Sequence, residues 1–492
     1  MKKSVKIWIG LMSFWLYLPS CTKNLDLQPV SQISNASFWK TENDAVGALN
    51  GMYVRLRDPA STNFFLWGEG RSEVMSVGFG GSPGNSLYYD NTLTPTNSGP
   101  DWMTMYTVIH DANLILKYVP QIAFSSEVTK NNIIAQAYTM RAFIYFTMAK
   151  IWGDLIIVTD PTEGFNAEAL QKERSPVADV FAFIKQDLTT AAGLFSNNNY
   201  PTGRNMWSLP ALNALTADVY LWTAKRMNGG NADFTKALDA LNTIDNSDVQ
   251  LLPDFASVFD YTNKGNKEIL MAVRFQELES IETGYSYMYV SSGNLPTNIS
   301  DSTRQAIGAL KYDAWTISNL VRNQFEPGDQ RKNASIIEVY IIDGSGNKTY
   351  FNSVVSKFNG LVSGGVRLFV DDVILYRYAD VLLMKAEAKN ALGQDPSDEI
   401  NKVRMRAYGP NYGGHEFVSG TAEENDAAIL KERLLELMFE GKRWWDLVRF
   451  GKAFELVPSL QGRAGQDNLL LFPIPLTVLS LETKVKQNPG YN

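Results

Sequence analysis

Two carboxylates four residues apart, in a 492-residue chain, are candidates for acid–base catalysis. Glu436 and Glu440 fall in the segment 429–450, ILKERLLELMFEGKRWWDLVRF, where apolar residues recur at helical spacing. Two carboxylates on one helix face could act as general acid and general base. The alternative is a structural lattice of ion pairs, because acidic and basic residues alternate on that face. We favour the lattice, since the segment contains no histidine or cysteine to complete a reactive set.

A second carboxylate pair, Glu69 and Glu73, lies beside a loop rich in aromatic residues. Glycosidases use two carboxylates about 5–10 Å apart around the scissile bond, so this pair makes a glycoside hydrolase one alternative. No sequence motif supports that alternative. We therefore predict that the protein is not an enzyme and that it has no catalytic residues.

Two irregular, aromatic-rich segments are the candidate binding regions. Residues 58–100 combine Gly, Ser, Pro and Asn with aromatic side chains, and loops this long are often functional. In residues 284–294, three tyrosines alternate, so an extended chain would project all three from one side. The alternatives are loop tips folded onto the body and a partly buried strand face.

Sugars suit such segments because they have apolar C–H faces and polar rims, which flat aromatic rings and a few fixed hydrogen-bonding groups can bind. We predict five aromatic platforms, one further aromatic candidate and three polar partners for a ligand. In that order, they are Phe79, Tyr88, Tyr89, Tyr285 and Tyr287, then Trp67, and then Arg71, Glu73 and Asn294.

Composition excludes several classes of function. The formal net charge is -7, which argues against a nucleic-acid partner. One cysteine allows no disulfide within the chain, and two histidines far apart in sequence argue against a zinc site or a Cys/His nucleophile. We accordingly predict no metal and no cofactor.

The N-terminus has the features of an exported lipoprotein. A basic start, MKKSVK, precedes an apolar run at 7–18 that is too short to span a bilayer, so residues 1–20 are predicted to be a signal peptide. Leu18-Pro19-Ser20-Cys21 resembles a bacterial lipobox, which would place acyl chains on Cys21 as the membrane anchor. The alternative is an ordinary cleavage site near a free thiol. Residues 21–40 are then a tether.

The rest of the chain divides into three predicted regions. Residues 41–265 form a helical body, with helices at 101–119, 127–152, 176–196, 208–227, 232–246 and 253–260, interrupted by the irregular loop at 58–100. The helical hairpins and their alanines resemble tetratricopeptide-like repeats, which makes the fold mainly α. Residues 266–372 form an irregular, partly β insertion with strands at 268–275, 337–342 and 348–355. Residues 373–492, beginning with a helix at 374–393, complete the body.

Several motifs together resemble the SusD/RagB family of outer-membrane nutrient-binding lipoproteins. The resemblance covers nearly the whole chain. One departure is the sequence INKVRMRAYGP, where members of the family usually have a shorter Arg-x-Arg-Ala-Gly turn. Its strongest pieces are the lipobox, FWKTENDAVGALNGMY at 38–53, MRAFIYFTMAKIWGDLIIV at 140–158, Asp329 with Arg331, LYRYADVLLMKAEA at 375–388, ERLLELMFEGKRWWDLVRFG at 432–451, LFPIP at 471–475 and the terminal QNPGY.

The resemblance implies a helical body of four tetratricopeptide-like units and a more irregular ligand-binding portion. It also implies a lipoprotein on the outer membrane that faces the cell exterior, and a partner, a SusC-like TonB-dependent transporter that the lipoprotein caps as a hinged lid. Ligand residues vary between family members, so only the location of the site carries over. The resulting hypothesis is glycan binding and delivery to the transporter, with peptide capture of the RagB type as the alternative.

Overall fold

The computed structural model describes residues 38–81, 86–164, 171–279 and 281–491. The predicted signal peptide, the predicted lipidation site Cys21 and most of the predicted tether lie outside the described residues. Within these ranges, no helix is both long enough and apolar enough to cross a membrane.

Long helices form the first half of the body. The first of them begins at a capping box, in which the Thr41 hydroxyl accepts from the Asp44 amide and the Asp44 carboxylate accepts from the Thr41 amide. The helices are α1 (Glu42–Ser61), α2 (Asn63–Gly68), α3 (Ser86–Tyr89), α4 (Met103–Tyr118), α5 (Glu127–Trp152), α6 (Val177–Leu194), α7 (Leu209–Arg226) and α8 (Gly230–Ile244).

These helices pack in neighbouring pairs. Helix α4 packs on α1 and α5, α5 packs on α6, and α7 packs on α8. Small residues allow the close approach, and Ala137, Ala142, Ala214 and Ala217 are fully buried. The prediction of a mainly α fold with helical hairpins is therefore confirmed.

The β portion consists of short antiparallel strand pairs. Three short helices accompany them, α9 (Asp301–Ile307), α10 (Asn319–Arg322) and α11 (Arg331–Ser335). The pairs are β1 (Met75–Val77) with β3 (Trp315–Ile317), β2 (Ile269–Val273) with β8 (Val373–Arg377), β4 (Ile336–Ile342) with β5 (Lys348–Val355), and β6 (Leu361–Ser363) with β7 (Val366–Leu368).

Three predicted elements differ from the structure. The predicted helix at 253–260 is replaced by a 3-10 turn at Ala256–Val258, and the predicted helix at 374–393 begins with strand β8. A short apolar run fits a strand as well as a helix, and pairing with β2 decides between them. The region 58–100 contains the end of α1, all of α2, and β1 and α3, so it is less irregular than predicted.

The C-terminal helices complete the body. They are α12 (Tyr378–Ala391), α13 (Ser397–Tyr408), α14 (Ala422–Leu437), α15 (Arg443–Arg449), α16 (Ala453–Leu456) and α17 (Leu476–Leu481). Gly441 separates α14 from α15, with φ of 70°. A Cβ atom on Gly441 would lie 2.9 Å from the carbonyl oxygen of Phe64, so the position requires glycine for its conformation and for its space.

Glu436 and Glu440 are buried at the centre of an ion-pair lattice. The side chains of both are 0% exposed. Glu436 pairs with Arg377 at 2.6 Å, with Arg331 at 3.2 Å and with Arg406. These charges hold the pKa of Glu436 well below its usual range despite burial. The lattice interpretation is confirmed, because both carboxylates are buried and each pairs with at least two basic side chains.

A buried acid also lies beneath the β portion. Asp371 is 2% exposed, and its Oδ1 accepts a hydrogen bond from the Gly360 amide at 3.0 Å. Its other carboxylate oxygen has no hydrogen-bond partner among the described residues. Burial raises the pKa of Asp371 to about 7.

Asp371→Asn should therefore stabilise the protein at pH 8 by up to about 4 kcal/mol, since each unit of pKa difference is worth about 1.4 kcal/mol. Folded wild-type protein keeps this proton to about pH 7, whereas the unfolded chain loses it near 3.8. The stability that the proton contributes is complete below pH 3.8 and is lost as the pH rises to 7. Asparagine keeps the acceptor for Gly360 and has no proton to lose. Urea unfolding at pH 4 and pH 8 checks this, and a pH-independent difference between the two proteins would contradict it.

Candidate ligand-binding site

Two exposed tyrosines form a stacked pair on the β portion. Tyr287 is 41% exposed and Tyr312 is 57% exposed, and their ring centroids lie 5.8 Å apart with planes 23° apart. The buried ring of Trp315 lies beneath, 5.7 Å from that of Tyr287. The pair therefore presents a flat aromatic face to solvent on a rigid support.

A second aromatic contact continues this surface. Phe351 on β5 is 40% exposed, and its ring centroid lies 5.8 Å from that of Phe79. Phe79 itself is only 8% exposed, and its amide donates to Asp313 Oδ1 at 2.7 Å. Asp313 follows Tyr312 in the chain, so both aromatic contacts belong to one region. We call this region, formed by Tyr287, Tyr312, Phe79 and Phe351, the aromatic surface.

Strand pairing explains how distant segments meet there. Strand β1 pairs with β3, with Val77 opposite Trp315, so the residues after β1 run beside those before β3. The Gly78 amide donates to the Ala314 carbonyl at 3.1 Å, and the Ala314 amide donates to the Tyr287 carbonyl at 2.8 Å. Long-range pairing thus sets the position of each aromatic residue.

Polar groups surround the aromatic surface. Asn294 is half-buried, and its Nδ2 donates to Asp313 Oδ2 at 2.6 Å. Lys311 forms an ion pair with Glu282 at 2.7 Å. A ligand with apolar faces and hydroxyl groups could stack on the rings and bond to these polar groups.

The three alternating tyrosines do not share a face. Residues Gly284–Met288 form a 3-10 helix, so the period-2 rule for an extended chain does not apply. Tyr285 is 4% exposed and stacks on Phe358 at 3.9 Å, and Tyr289 is 0% exposed. Tyr287 alone of the three reaches solvent, so we correct the prediction for Tyr285.

The two tyrosines of the first loop turn towards the body. Tyr88 is 5% exposed and packs against Gly99, where an added Cβ would lie 2.4 Å from its hydroxyl. Tyr89 is half-buried, and its hydroxyl is enclosed without a hydrogen-bond partner among the described residues. The alternative of loop tips folded onto the body describes Tyr88, and we correct its prediction as a platform, whereas the partly exposed Tyr89 stays a prediction.

The remaining predicted site residues are parts of the core. Trp67 is fully buried, with its ring against Trp152 at 5.5 Å. Arg71 is 1% exposed, lies over the Trp444 ring at 4.4 Å and donates to the Asn91 amide oxygen at 2.7 Å. These predictions are corrected, because a side chain enclosed by the body cannot contact a ligand at the surface.

The carboxylates near the first loop are also enclosed. Glu73 pairs with Arg443 Nε at 2.9 Å. Glu69 is fully buried and accepts from the amides of Phe439 and Lys442 at 2.8 and 3.1 Å. Burial raises the pKa of Glu69 to about 7, but the pair has no access to a glycosidic bond. The predicted polar partner and the hydrolase candidates are therefore structural.

Sequence reasoning missed three residues of the aromatic surface. Tyr312 and Asp313 lie in a mixed stretch, LKYDAWTI at 310–317, that matches no binding motif. Phe351 lies on a strand, and nothing in the sequence marks its exposed face as a binding surface. Of the predicted residues, the structure brings together Phe79, Tyr287 and Asn294.

Comparisons with known proteins give consistent matches. A family model described as "SusD family" matches residues 345–468, and one described as "Starch-binding associating with outer membrane" matches residues 25–221. "SusD-like protein P38" of Formosa agariphila is 28% identical over 99% of both chains.

Solved structures agree with these matches. The structure titled "B. fragilis NanU" is 33% identical with a TM-score of 0.85 and covers 95% of this chain and 100% of its own. A SusD superfamily protein from Bacteroides vulgatus is 31% identical with a TM-score of 0.82, over 92% of this chain and 100% of its own.

The paired-helix body and the aromatic surface on its β portion define a helical-repeat protein whose candidate binding surface lies on an irregular insertion. The chain belongs to the SusD family, as the relatives above 30% identity show and as the two family models agree.

Proposed function

We propose that this protein binds a glycan at the aromatic surface and does not cleave it. The observation that carries the proposal is the stacked pair Tyr287 and Tyr312, which exposes flat rings of the kind that sugar C–H faces contact. The starch-binding description of the matching family model supports the same ligand class. Binding without cleavage is supported by the burial of both carboxylate pairs.

The proposal extends to an outer-membrane lipoprotein that passes the glycan to a SusC-like TonB-dependent transporter. In this proposal Cys21 carries the lipid and the folded part faces the cell exterior. Support for a protein partner comes from exposed apolar side chains on two adjoining segments. The Thr283 amide of one segment donates a hydrogen bond to the Phe369 carbonyl of the other at 2.8 Å. Those side chains are Leu278, Ile281, Val362 and Val366.

Native gels that contain a polysaccharide should retard the soluble protein lacking residues 1–21. The panel is starch, laminarin and pectin, and bovine serum albumin is the control for nonspecific retardation. We expect retardation by at least one polysaccharide, which should keep its chain length after incubation.

Two other results would overturn parts of the proposal. Shortened sugars would show a hydrolase. No retardation by any polysaccharide would contradict glycan binding, and titration with a tryptic peptide mixture would then test the peptide-capture alternative directly.

A further inference from the structure

One carboxylate joins three segments of the aromatic surface. Asp313 Oδ1 accepts from the Phe79 amide at 2.7 Å, and Oδ2 accepts from the Gly80 amide at 2.7 Å and from Asn294 Nδ2 at 2.6 Å. Hydrogen bonds to an ionised acceptor are roughly twice as strong as neutral ones. The loop after β1, the segment around Asn294 and the chain before β3 are thus fixed to one another.

The glycines beside Phe79 show how closely these segments fit. A Cβ atom on Gly78 would lie 2.1 Å from Asp313 Oδ1, and one on Gly80 would lie 2.6 Å from Asn294 Nδ2. Real Cβ atoms essentially never approach so closely, so any other residue would displace the carboxylate or the amide. The Gly-Phe-Gly sequence therefore lets the backbone reach the carboxylate.

The position of this carboxylate links it to the exposed rings. Asp313 lies between Tyr312, which stacks on Tyr287, and Ala314, whose amide donates to the Tyr287 carbonyl. Its own hydrogen bonds hold Phe79, the ring neighbour of Phe351. Loss of these bonds would free the loop that carries Phe79 and the segment that carries Asn294, and ordering them again on binding would reduce affinity.

We propose that Asp313 is a positioning residue that holds the aromatic surface in its binding geometry before the ligand arrives. The effect on affinity rests on the proposed glycan binding. The effect on the loop does not, because the hydrogen bonds from Phe79 and Gly80 exist without a ligand.

The test compares Asp313→Asn with Asp343→Asn in the soluble protein lacking residues 1–21. Asp343 is a matched control, because its carboxylate also accepts from two backbone amides and one asparagine side chain, at 2.8 to 2.9 Å, in the turn between β4 and β5. In both variants an NH2 group replaces one carboxylate oxygen. That NH2 group then faces an N–H donor, so at least one hydrogen bond is lost.

Two quantities are measured. Hydrogen exchange at the amides of Phe79 and Gly80 should accelerate at least tenfold in Asp313→Asn and stay unchanged in Asp343→Asn, with the amides of α5 unaffected in both. Affinity for whichever of starch, laminarin and pectin retards the wild type should fall at least tenfold in Asp313→Asn only.

The two proposals can fail separately. Unchanged exchange at Phe79 and Gly80, or accelerated exchange with full affinity, overturns the role of Asp313. If no polysaccharide binds the wild type, glycan binding fails, and the exchange result alone then decides whether Asp313 holds the loop. Global acceleration including α5 would also overturn it, since the residue would then support the whole fold.

Discussion

Replacing both Tyr287 and Tyr312 with alanine should lower the affinity for the glycan about a thousandfold. Central aromatic side chains at binding surfaces contribute on the order of 2 kcal/mol each, and every 1.4 kcal/mol is a factor of ten. The two rings are the most exposed aromatic pair of the described residues and stack on each other, so removing both eliminates the flat face. Isothermal titration with the polysaccharide that retards the wild type measures the loss.

The fold should survive these substitutions, because Trp315 keeps its buried place beneath them. Thermal unfolding of the double variant should stay within a few degrees of the wild type. Tyr412→Ala is the control for losing a tyrosine, since Tyr412 lies in the loop after α13 on the helical body. The single variants reveal coupling, because stacked residues need not contribute additively. Wild-type affinity in the double variant would exclude this pair as the ligand contact.

Helix positions could be predicted from sequence because their signals are local. The helix predicted at 127–152 is observed as Glu127–Trp152, and the hydroxyl of Ser126 caps its N-terminus. The hairpin of β4 and β5 was equally accessible, since Asp343 to Asn347 supply the turn chemistry between two β-prone runs. The signals of these two elements are local, and tertiary packing did not override them, whereas pairing with β2 made the start of the predicted helix at 374–393 a strand.

The exposure of individual aromatic residues could not be predicted in the same way. Tyr285 is covered by Phe358, 73 residues later in the chain, and Tyr287 two positions away is not covered. Arg71 and Glu73 have the composition of polar ligand groups, yet Trp444 and Arg443 enclose them from the other end of the sequence. Long-range contacts alone decide whether an aromatic residue is an exposed platform for a ligand or a buried core residue, and no local sequence pattern encodes those contacts.

The opposite holds for Glu436 and Glu440, where sequence already favoured a lattice. The alternating charges of the segment 429–450 indicate that ion pairs form, although their partners on other elements are visible only in the structure. Arg331 comes from α11, Arg377 from the end of β8 and Arg406 from α13. Glu436 thus joins the β portion to the C-terminal helices, which gives a structural reason for burying so many charges together.

Glu436→Gln should lower the free energy of unfolding at pH 7 by about 3–5 kcal/mol. The substitution keeps the shape of the side chain but removes the charge that faces three buried guanidinium groups. A buried charge that loses its partner keeps its desolvation cost, which is larger than the worth of a surface ion pair. Urea unfolding of the soluble protein measures the loss, and Glu423→Gln, at an exposed position in the first turn of α14, should change stability by less than about 1 kcal/mol.

The same variant should change how stability depends on pH. Because the pKa of Glu436 is lowered from 4.5 in the folded protein, its contribution is complete above pH 4.5 and is lost as the pH falls through the folded pKa. The stability difference between wild type and Glu436→Gln should therefore be largest near neutral pH and shrink in acid. A loss below about 1 kcal/mol at pH 7 would mean that the three arginines find other partners, such as Glu432 for Arg331 and Glu268 for Arg377 and Arg406, without the central carboxylate. The lattice would then be redundant at its centre, and the junction between the β portion and the body would depend on apolar packing.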